Sequence, residues 1–382
     1  MSIDGNVGVR YTSADVSGTR GVEYINVVED RGPNGLSAIP SDFSPEAVAY
    51  FAQTDTLNTD EELSSNDAWL PSLNVKWNVS DETLVRFAAS KAITRPRIDQ
   101  LRGNQVAVGA FQFITSDDET LPADQRVTDV RLNQINLYGG NPDLKPIESV
   151  NLDLSFEHYF GDDNTISLSL FHKDISNNII YASETRDVVT LDGTQIPVIF
   201  NGDLNQDEAK IKGLEVAYLQ FYDELPGLLG NLGLQANYTY VDASTNAPLP
   251  TLAEGDPNAN FERIYRYGVT EFLGLSEHSA NLIGIYQDEK LEMRLAYNWR
   301  SEYLGSYRDF VTGNPIFQQA TGYLDGSAKY DFNDHFQVRL QVANITNERA
   351  NAEQQIDADG TRFGRTSFVG DRRIKIGARY KF

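Results

Sequence analysis

The chain has 382 residues, no cysteine and a formal net charge of −23. The missing thiols exclude a disulfide scaffold and a thiolate metal site, and the acidic balance argues against a nucleic-acid binder, which needs a basic patch. Hydrophobic content of 40% with 11% aromatics excludes global disorder, and the length allows either two ordinary domains or one large all-β unit.

Period-two alternation of apolar and polar residues recurs along the whole chain. Reading for that period and for turn residues predicts about thirteen strands, near 4–15, 19–30, 66–79, 82–93, 149–160, 164–180, 207–222, 231–243, 275–287, 290–304, 322–332, 335–347 and 367–382. In the last of these, Ile374, Ile376, Ala378, Tyr380 and Phe382 share one face, while Arg373, Lys375, Arg379 and Lys381 share the other. Leu291, Met293, Leu295, Tyr297 and Trp299 oppose Glu292, Arg294, Asn298 and Arg300 in the same way. A strand that is apolar outward and charged inward fits a transmembrane β-barrel, with lipid outside and water inside. No apolar run reaches the ~18 residues a membrane helix needs. The mean hydropathy of −0.41 does not count against a barrel, whose membrane signal lies in alternation.

Connections alternate in length. Short turns fall at Ser80-Asp-Glu82, Gly161-Asp-Asp163, Gln287-Asp-Glu-Lys290 and Asn333-Asp334, and long loops at 31–65, 94–148, 181–206, 244–274, 305–321 and 348–366. Outer-membrane barrels have short periplasmic turns and long extracellular loops, so this parity predicts a periplasmic C-terminus. Aromatics near the short-turn ends, such as Trp77, Tyr159, Phe160, Tyr222, Tyr286 and Phe336, suit an interfacial girdle. Within the long loops, 188–198 reads as a hairpin with an Asp192-Gly193 turn, and 105–114 is predicted to pair with 127–138. Asp60-Glu-Glu62 and Asp117-Asp-Glu119 read as solvated loop charge.

Catalytic signatures are missing: no phosphate-cradling glycine loop, nucleophile elbow or His-Glu-x-x-His occurs. His158, His172, His278 and His335 are scattered. Asp203-Leu-Asn205-Gln-Asp207 begins like a calcium loop, but the sixth position is Glu208 rather than Gly and the twelfth is Leu214 rather than Glu. The expectation is a non-enzyme with no cofactor.

Other motifs are more telling. Ala89-Ser-Lys-Ala-Ile-Thr-Arg-Pro96 leads into a long loop, and Gly140-Asn-Pro-Asp-Leu-Lys-Pro146 leads back into the strand 151–160. Phe171-His-Lys-Asp-Ile175, Ile211-Lys-Gly-Leu-Glu215, Val342-Ala-Asn-Ile-Thr-Asn347 and the terminal Phe382 follow. In order and spacing these motifs resemble the C-terminal barrel part of TonB-dependent receptors of the Gram-negative outer membrane, and most closely the carbohydrate-uptake subgroup. They also read structurally. Pro142 and Pro146 stop strand pairing before the next strand begins, and Gly213 suits close packing or a bulge. The motifs are therefore expected to serve folding rather than ligand binding.

The resemblance implies a barrel of about 22 strands filled by an N-terminal plug that contacts TonB. The chain shows no plug, no secretory signal and too few strands. Residues 1–382 are therefore expected to be the C-terminal portion of such a barrel, reaching TonB only through a plug it lacks. The implied function is active uptake of a scarce nutrient, with an oligosaccharide first and a ferric siderophore as the alternative. A passive diffusion channel of about 14 strands is a further alternative. Implied partners are outer-membrane lipid, the barrel-assembly machinery acting on Phe382, and the nutrient ligand. Candidate ligand-binding residues are Arg263, Tyr265, Arg266 and Tyr267, with Tyr303, Tyr307 and Arg308. Their rings stack on sugars and their guanidinium groups bind hydroxyls or anions.

Overall fold

The computed structural model describes residues 1–25, 59–115, 127–161, 163–191, 194–245, 267, 269–309 and 311–382. Eighteen strands are found among them. The first nine are β1 (Ser2–Ile25), β2 (Thr59–Asn78), β3 (Thr83–Thr94), β4 (Asn104–Thr115), β5 (Val127–Gly139), β6 (Ile147–Phe160), β7 (Asn164–Leu191), β8 (Thr194–Phe221) and β9 (Leu232–Thr245). The rest are β10 (His278–Gln287), β11 (Leu291–Arg300), β12 (Tyr303–Ser306), β13 (Ile316–Gln318), β14 (Thr321–Asp331), β15 (Phe336–Ala343), β16 (Arg349–Gln355), β17 (Arg362–Val369) and β18 (Arg373–Tyr380).

Twelve of these form an antiparallel meander, β1-β2-β3-β6-β7-β8-β9-β10-β11-β14-β15-β18. The sequence predicts thirteen, and the difference lies at the start. The expected strands 4–15 and 19–30 are one strand, β1, which stays on β2 through a bulge between Val16 and Ser17. The extra residue on β2 bends the ladder without ending it.

The two faces differ as the alternation requires. Ile3, Val7, Val9, Leu152, Leu154, Phe156, Leu168 and Leu170 are exposed on one side. The other side carries paired charges, including Arg86 with Glu157 at 2.9 Å and Lys329 with Glu292 at 3.0 Å. An apolar band this large faces lipid rather than water. Tyr11 against Trp69, with ring centroids 4.9 Å apart, lies in that band. Gly213 sits where β8 meets Phe171 of β7 and the Tyr240 carbonyl of β9, and a Cβ would reach 2.6 Å from the Phe171 ring. Of the two expected roles, close approach is the observed one, because no register shift occurs at that position.

The long-loop end continues as sheet rather than coil. Hairpin β7–β8 stays paired up to Leu191↔Thr194, which leaves Asp192 and Gly193 as the connection. β4 and β5 pair as expected. β4 also adds in parallel to residues 21–25 of β1, and β5 to residues 198–201 of β8. These contacts close a ring of eight strands above the band, around a small core of Ala107, Ile135, Val198 and Phe200. A second sheet, β12-β13-β16-β17, continues the hairpins β11–β14 and β15–β18. Residues 60–62 lie within β2, not in a loop, and residues 117–119 fall outside the described residues.

Candidate functional site

The long-loop end gathers three chain segments into a ledge. After Pro96 the chain turns tightly: Gln100 N–H donates to the Arg97 carbonyl (3.0 Å) and the Gln100 side-chain oxygen accepts from Arg97 N–H (2.9 Å). The Gly140–Pro146 segment docks against this turn through Asn141 N–H, which donates to the Gln100 carbonyl at 2.6 Å. Gly140 is needed there because a Cβ would sit 2.5 Å from the Arg102 carbonyl oxygen. Buried Asn141 reaches across to β8, its Nδ2 donating to the Asp203 carbonyl (3.0 Å), while Leu144 is fully buried. Asn205 accepts from Lys145 N–H (2.8 Å) and donates to the carbonyls of Lys145 (3.0 Å) and Asn177 (2.9 Å). Asn177 takes a left-handed conformation (φ 56°), which asparagine tolerates better than most residues. These loop motifs latch the turn after Pro96, the Gly140–Pro146 segment and β8 together. Asn205, the middle residue of the run 203–207, is thus committed to backbone groups.

The latch sets charged groups beside a phenol. Tyr181 and Asp203 are register partners across β7 and β8. β7 is long enough to carry Tyr181 beyond the apolar band, which ends near Leu170 and is followed outward by the His172–Asp174 pair at 3.1 Å. Partial burial and the nearby Asp203 push the Tyr181 phenol above its ordinary value, while Arg308 opposes them. Arg97 pairs with Asp99 at 3.0 Å, and that hydrogen bond holds the Asp99 carboxyl below the usual range. Arg102 donates to the Asp99 carbonyl at 3.2 Å. Arg97, Arg102 and Arg308, with Asp99, Asp203 and Tyr181, therefore form one group of mixed charge.

The candidates from the sequence separate. Arg263, Tyr265 and Arg266 lie outside the described residues. Tyr267 donates its hydroxyl to the Ile356 carbonyl at 2.6 Å. Tyr303 has its face covered by the Arg300 guanidinium, 3.8 Å from the ring centroid. Tyr307 packs on a small core of Val269, Leu304 and Phe317 and donates to the Glu271 carbonyl at 3.3 Å. These three tyrosines brace the second sheet. Among the described candidates, Arg308 is the one that acts electrostatically on Tyr181 of the ledge. Its backbone is fixed between Ser306, whose hydroxyl donates to its carbonyl (2.6 Å), and Asp309.

Asp309 is the anchor of this loop. Nearly buried, its carboxylate accepts the N–H groups of Val311 (2.9 Å) and Thr312 (3.0 Å) and pairs with Arg365 of β17 at 3.0 Å. Burial alone would raise its pKa. The backbone donors of Thr312 and Val311 and the Arg365 guanidinium outweigh it and hold the carboxyl below its ordinary value. Among the described residues, no group of three or more His, Asp or Glu side chains could hold a metal ion.

A family model described as "TonB dependent receptor-like, beta-barrel" matches residues 2–345. The chain belongs to this TonB-dependent receptor family. Such barrels lie in the Gram-negative outer membrane, which agrees with the apolar outward band. The chain is 23% identical over 356 residues to a probable TonB-dependent siderophore receptor, PirA, of Acinetobacter baumannii, covering 91% of this chain and 43% of the relative. It is 24% identical over 235 residues to an iron-regulated outer membrane virulence protein of Vibrio cholerae, covering 60% and 31%. Among solved structures, the ferric enterobactin receptor PfeA of Pseudomonas aeruginosa superposes with a TM-score of 0.54 at 18% identity, covering 85% of this chain and 42% of that one. PirA of A. baumannii gives 0.53 at 18% identity, covering 86% and 43%. The chain therefore spans less than half the length of these relatives. None of them is a carbohydrate receptor, and the carbohydrate subgroup finds no support.

Sequence reading missed Arg97, Arg102, Tyr181 and Asp203 as a group. Two signals for it were present: Arg97 follows the motif ending at Pro96, and the strand containing Tyr181 continues to an Asp-Gly tip, far beyond one membrane crossing.

Proposed function

We propose that this chain is the C-terminal barrel part of an outer-membrane receptor for TonB-dependent uptake of a ferric siderophore of the anionic, catecholate kind. The observation that carries this reading is the ledge, where the guanidinium groups of Arg97, Arg102 and Arg308 gather beside the Tyr181 phenol, among the acids Asp99, Asp143 and Asp203. Guanidinium groups suit an iron chelate whose catecholate oxygens carry excess negative charge. Names of the relatives point the same way. The oligosaccharide reading has less behind it: none of the relatives named above is a sugar receptor by name, and Tyr303 already stacks on the Arg300 guanidinium.

By loop parity, the ledge end is extracellular and the C-terminus periplasmic. Phe382, fully exposed and edge-on to Tyr380 at 5.3 Å, serves in this reading as the barrel-assembly signal. Engagement of TonB falls to a plug domain outside this chain. The test is equilibrium binding by the full-length receptor, with ferric enterobactin and maltohexaose as probes. Tight binding of the iron chelate, weakened at least tenfold in the triple variant Arg97→Gln/Arg102→Gln/Arg308→Gln, is expected. Binding of the sugar but not the chelate would overturn the proposal.

A further inference from the structure

The outward face carries a groove near the short-turn end. Across β9-β10-β11-β14-β15 one row of paired outward positions reads Leu234, Gly284, Leu295, Gly326 and Val342. The next row toward the short turns reads Leu232, Tyr286, Met293, Ala328 and Leu340. Gly284, Gly326 and Ala328 set a low floor between ridges of larger side chains, and the cavity they leave has a volume of about 620 Å³. No atom lies within 4 Å of where a Cβ at Gly284 would sit. On β6 and β7, by contrast, the outward positions Leu152, Leu154, Phe156, Leu168 and Leu170 are all large. Each of the five groove strands is paired on both sides, so the groove opens outward to lipid and not to the lumen or a sheet edge.

The outward side chains that line it are apolar except for the hydroxyls of Tyr222 and Tyr286 at the short-turn rim. The Tyr286 hydroxyl donates to Asp288 (2.9 Å) and accepts from Asn231 Nδ2 (3.3 Å). Tyr222 opens the longest of the short-turn connections, residues 222–231, against 79–82, 161–163, 288–290 and 332–335. This connection is folded on itself: Leu225 N–H donates to the Tyr222 carbonyl at 2.8 Å, and a tight helical turn covers Gly227–Asn231. It nevertheless leaves Leu225, Leu228 and Leu229 exposed. Leucines beside a tyrosine girdle suit the interfacial layer of a membrane. The rim is also acidic. Asp223, Glu224, Asp288 and Glu289 stand in the two connections that adjoin the groove, with Lys290 as their one basic residue.

We propose that this groove holds a phosphatidylethanolamine molecule of the periplasmic leaflet, with alkyl chain in the trough and the ammonium group at the acidic rim. The proposal rests on the reading of the short-turn end as periplasmic, and is independent of the cargo. Two observations favour a lipid over a protein partner. Polarity at one end of an otherwise apolar groove matches an amphiphile. The groove also lies at lipid depth, since Gly284 stands about 13 Å along β10 from Asp288, inside the nearer half of a ~30 Å hydrocarbon core. The sign of the rim selects the headgroup. Anionic lipids are drawn to basic clusters, so an acidic rim favours the ethanolamine ammonium over phosphatidylglycerol.

The test is native mass spectrometry of the full-length receptor in detergent, with phosphatidylethanolamine and phosphatidylglycerol of matched chains as probes. Wild type should retain phosphatidylethanolamine and prefer it by about fivefold or more. Gly284→Leu/Ala328→Leu fills the trough and should lower retention by about tenfold or more, with heat-modifiability unchanged, because leucine suits a lipid-facing strand. Gly326 is kept, because a Cβ there would meet the Ile345 side chain at 3.2 Å. Asp223→Asn/Glu224→Gln/Glu289→Gln should still hold lipid but bring the preference below about twofold. Equal retention by wild type and the filled variant would overturn the site, and an unchanged preference in the neutral-rim variant would overturn the headgroup assignment. A protein chain held by wild type and released by the filled variant would assign the groove to a protein contact and overturn the lipid. Labelling of Glu289→Cys on intact cells by a membrane-impermeant maleimide would instead overturn the periplasmic reading of that end, whatever lipid is bound.

Discussion

Replacing Asp309 by Ala should loosen the loop that presents Arg308 without unfolding the barrel. The carboxylate accepts two backbone N–H groups, from Val311 and Thr312, inside a nearly closed pocket. Hydrogen bonds to a charged acceptor are worth roughly 1.5–3 kcal/mol each, and the donors left behind cannot all reach water. Arg365 is 40% exposed, so its ion pair adds little after solvent screening. The contributions overlap, and about 3 kcal/mol is a reasonable net loss. At 1.4 kcal/mol per factor of ten, local opening of the β12–β13 connection should rise roughly a hundredfold. Amide hydrogen exchange in β13 and β16 reads this directly. Asp309→Asn keeps an acceptor for the backbone donors and should open about tenfold more than wild type.

Acid should mimic the substitution. The folded-state pKa of Asp309 is depressed, so its contribution is fully present above the unfolded carboxyl value of about 3.9. That contribution is lost as pH falls through the folded value. Wild-type protection in β13 and β16 should therefore hold from neutral pH to about 4 and fall below it, while the Ala variant shows no such step. An opening ratio under about fivefold, or the same acid step in both proteins, would refute this account of the loop.

Asn141→Ala removes a bond to the Asp203 carbonyl and the turn contact to Asp143 N–H, and should cost about 1–3 kcal/mol, seen as faster proteolysis within residues 95–103. Gly213→Ala should lower the melting temperature, at a cost of roughly 1–3 kcal/mol, because the new methyl meets Phe171 and the Tyr240 carbonyl. Gly377→Ala, with open space around it, should be silent in the same melt. Leu154→Arg on the lipid face should reduce the folded fraction in heat-modifiability gels, by about 2–4 kcal/mol, whereas Ser167→Arg, opposite Glu157 on the inner face, should not. Equal behaviour of the last pair would contradict the assignment of faces.

Alternation carried most of the fold in the sequence because the period of a strand is fixed by its backbone, and each face here meets one solvent. The hairpin at Asp192-Gly193 and the pairing of β4 with β5 were legible for the same local reason. Local pattern cannot report partners far apart in sequence. The parallel additions of β4 to β1 and β5 to β8 were therefore invisible, and so was the fusion of two expected strands into β1, where a bulge imitates a break. The site suffered most. An aromatic or arginine in a loop reads the same whether it faces a ligand or braces a neighbour. Tyr303 and Tyr307 lie against Arg300 and the Leu304 cluster, neighbours that the sequence does not reveal. Arg97 and Tyr181, 84 positions apart, both come within electrostatic reach of Asp203, where Asn141 and Asn205 latch the segments together.

The edges of the meander add a constraint that neither face supplies. β18 pairs with β15 on one side, and its other edge has no partner among the described residues. Residues 2–20 of β1 pair only with β2. In hydrocarbon each unpaired backbone group costs several kcal/mol, so two open edges would forfeit more than a folded domain's whole stability. The ring closed by β4 and β5 does not relieve this, because it joins β1 and β8 only above the apolar band, at residues 21–25 and 198–201. Both edges within the membrane must therefore be paired, with each other or with further strands.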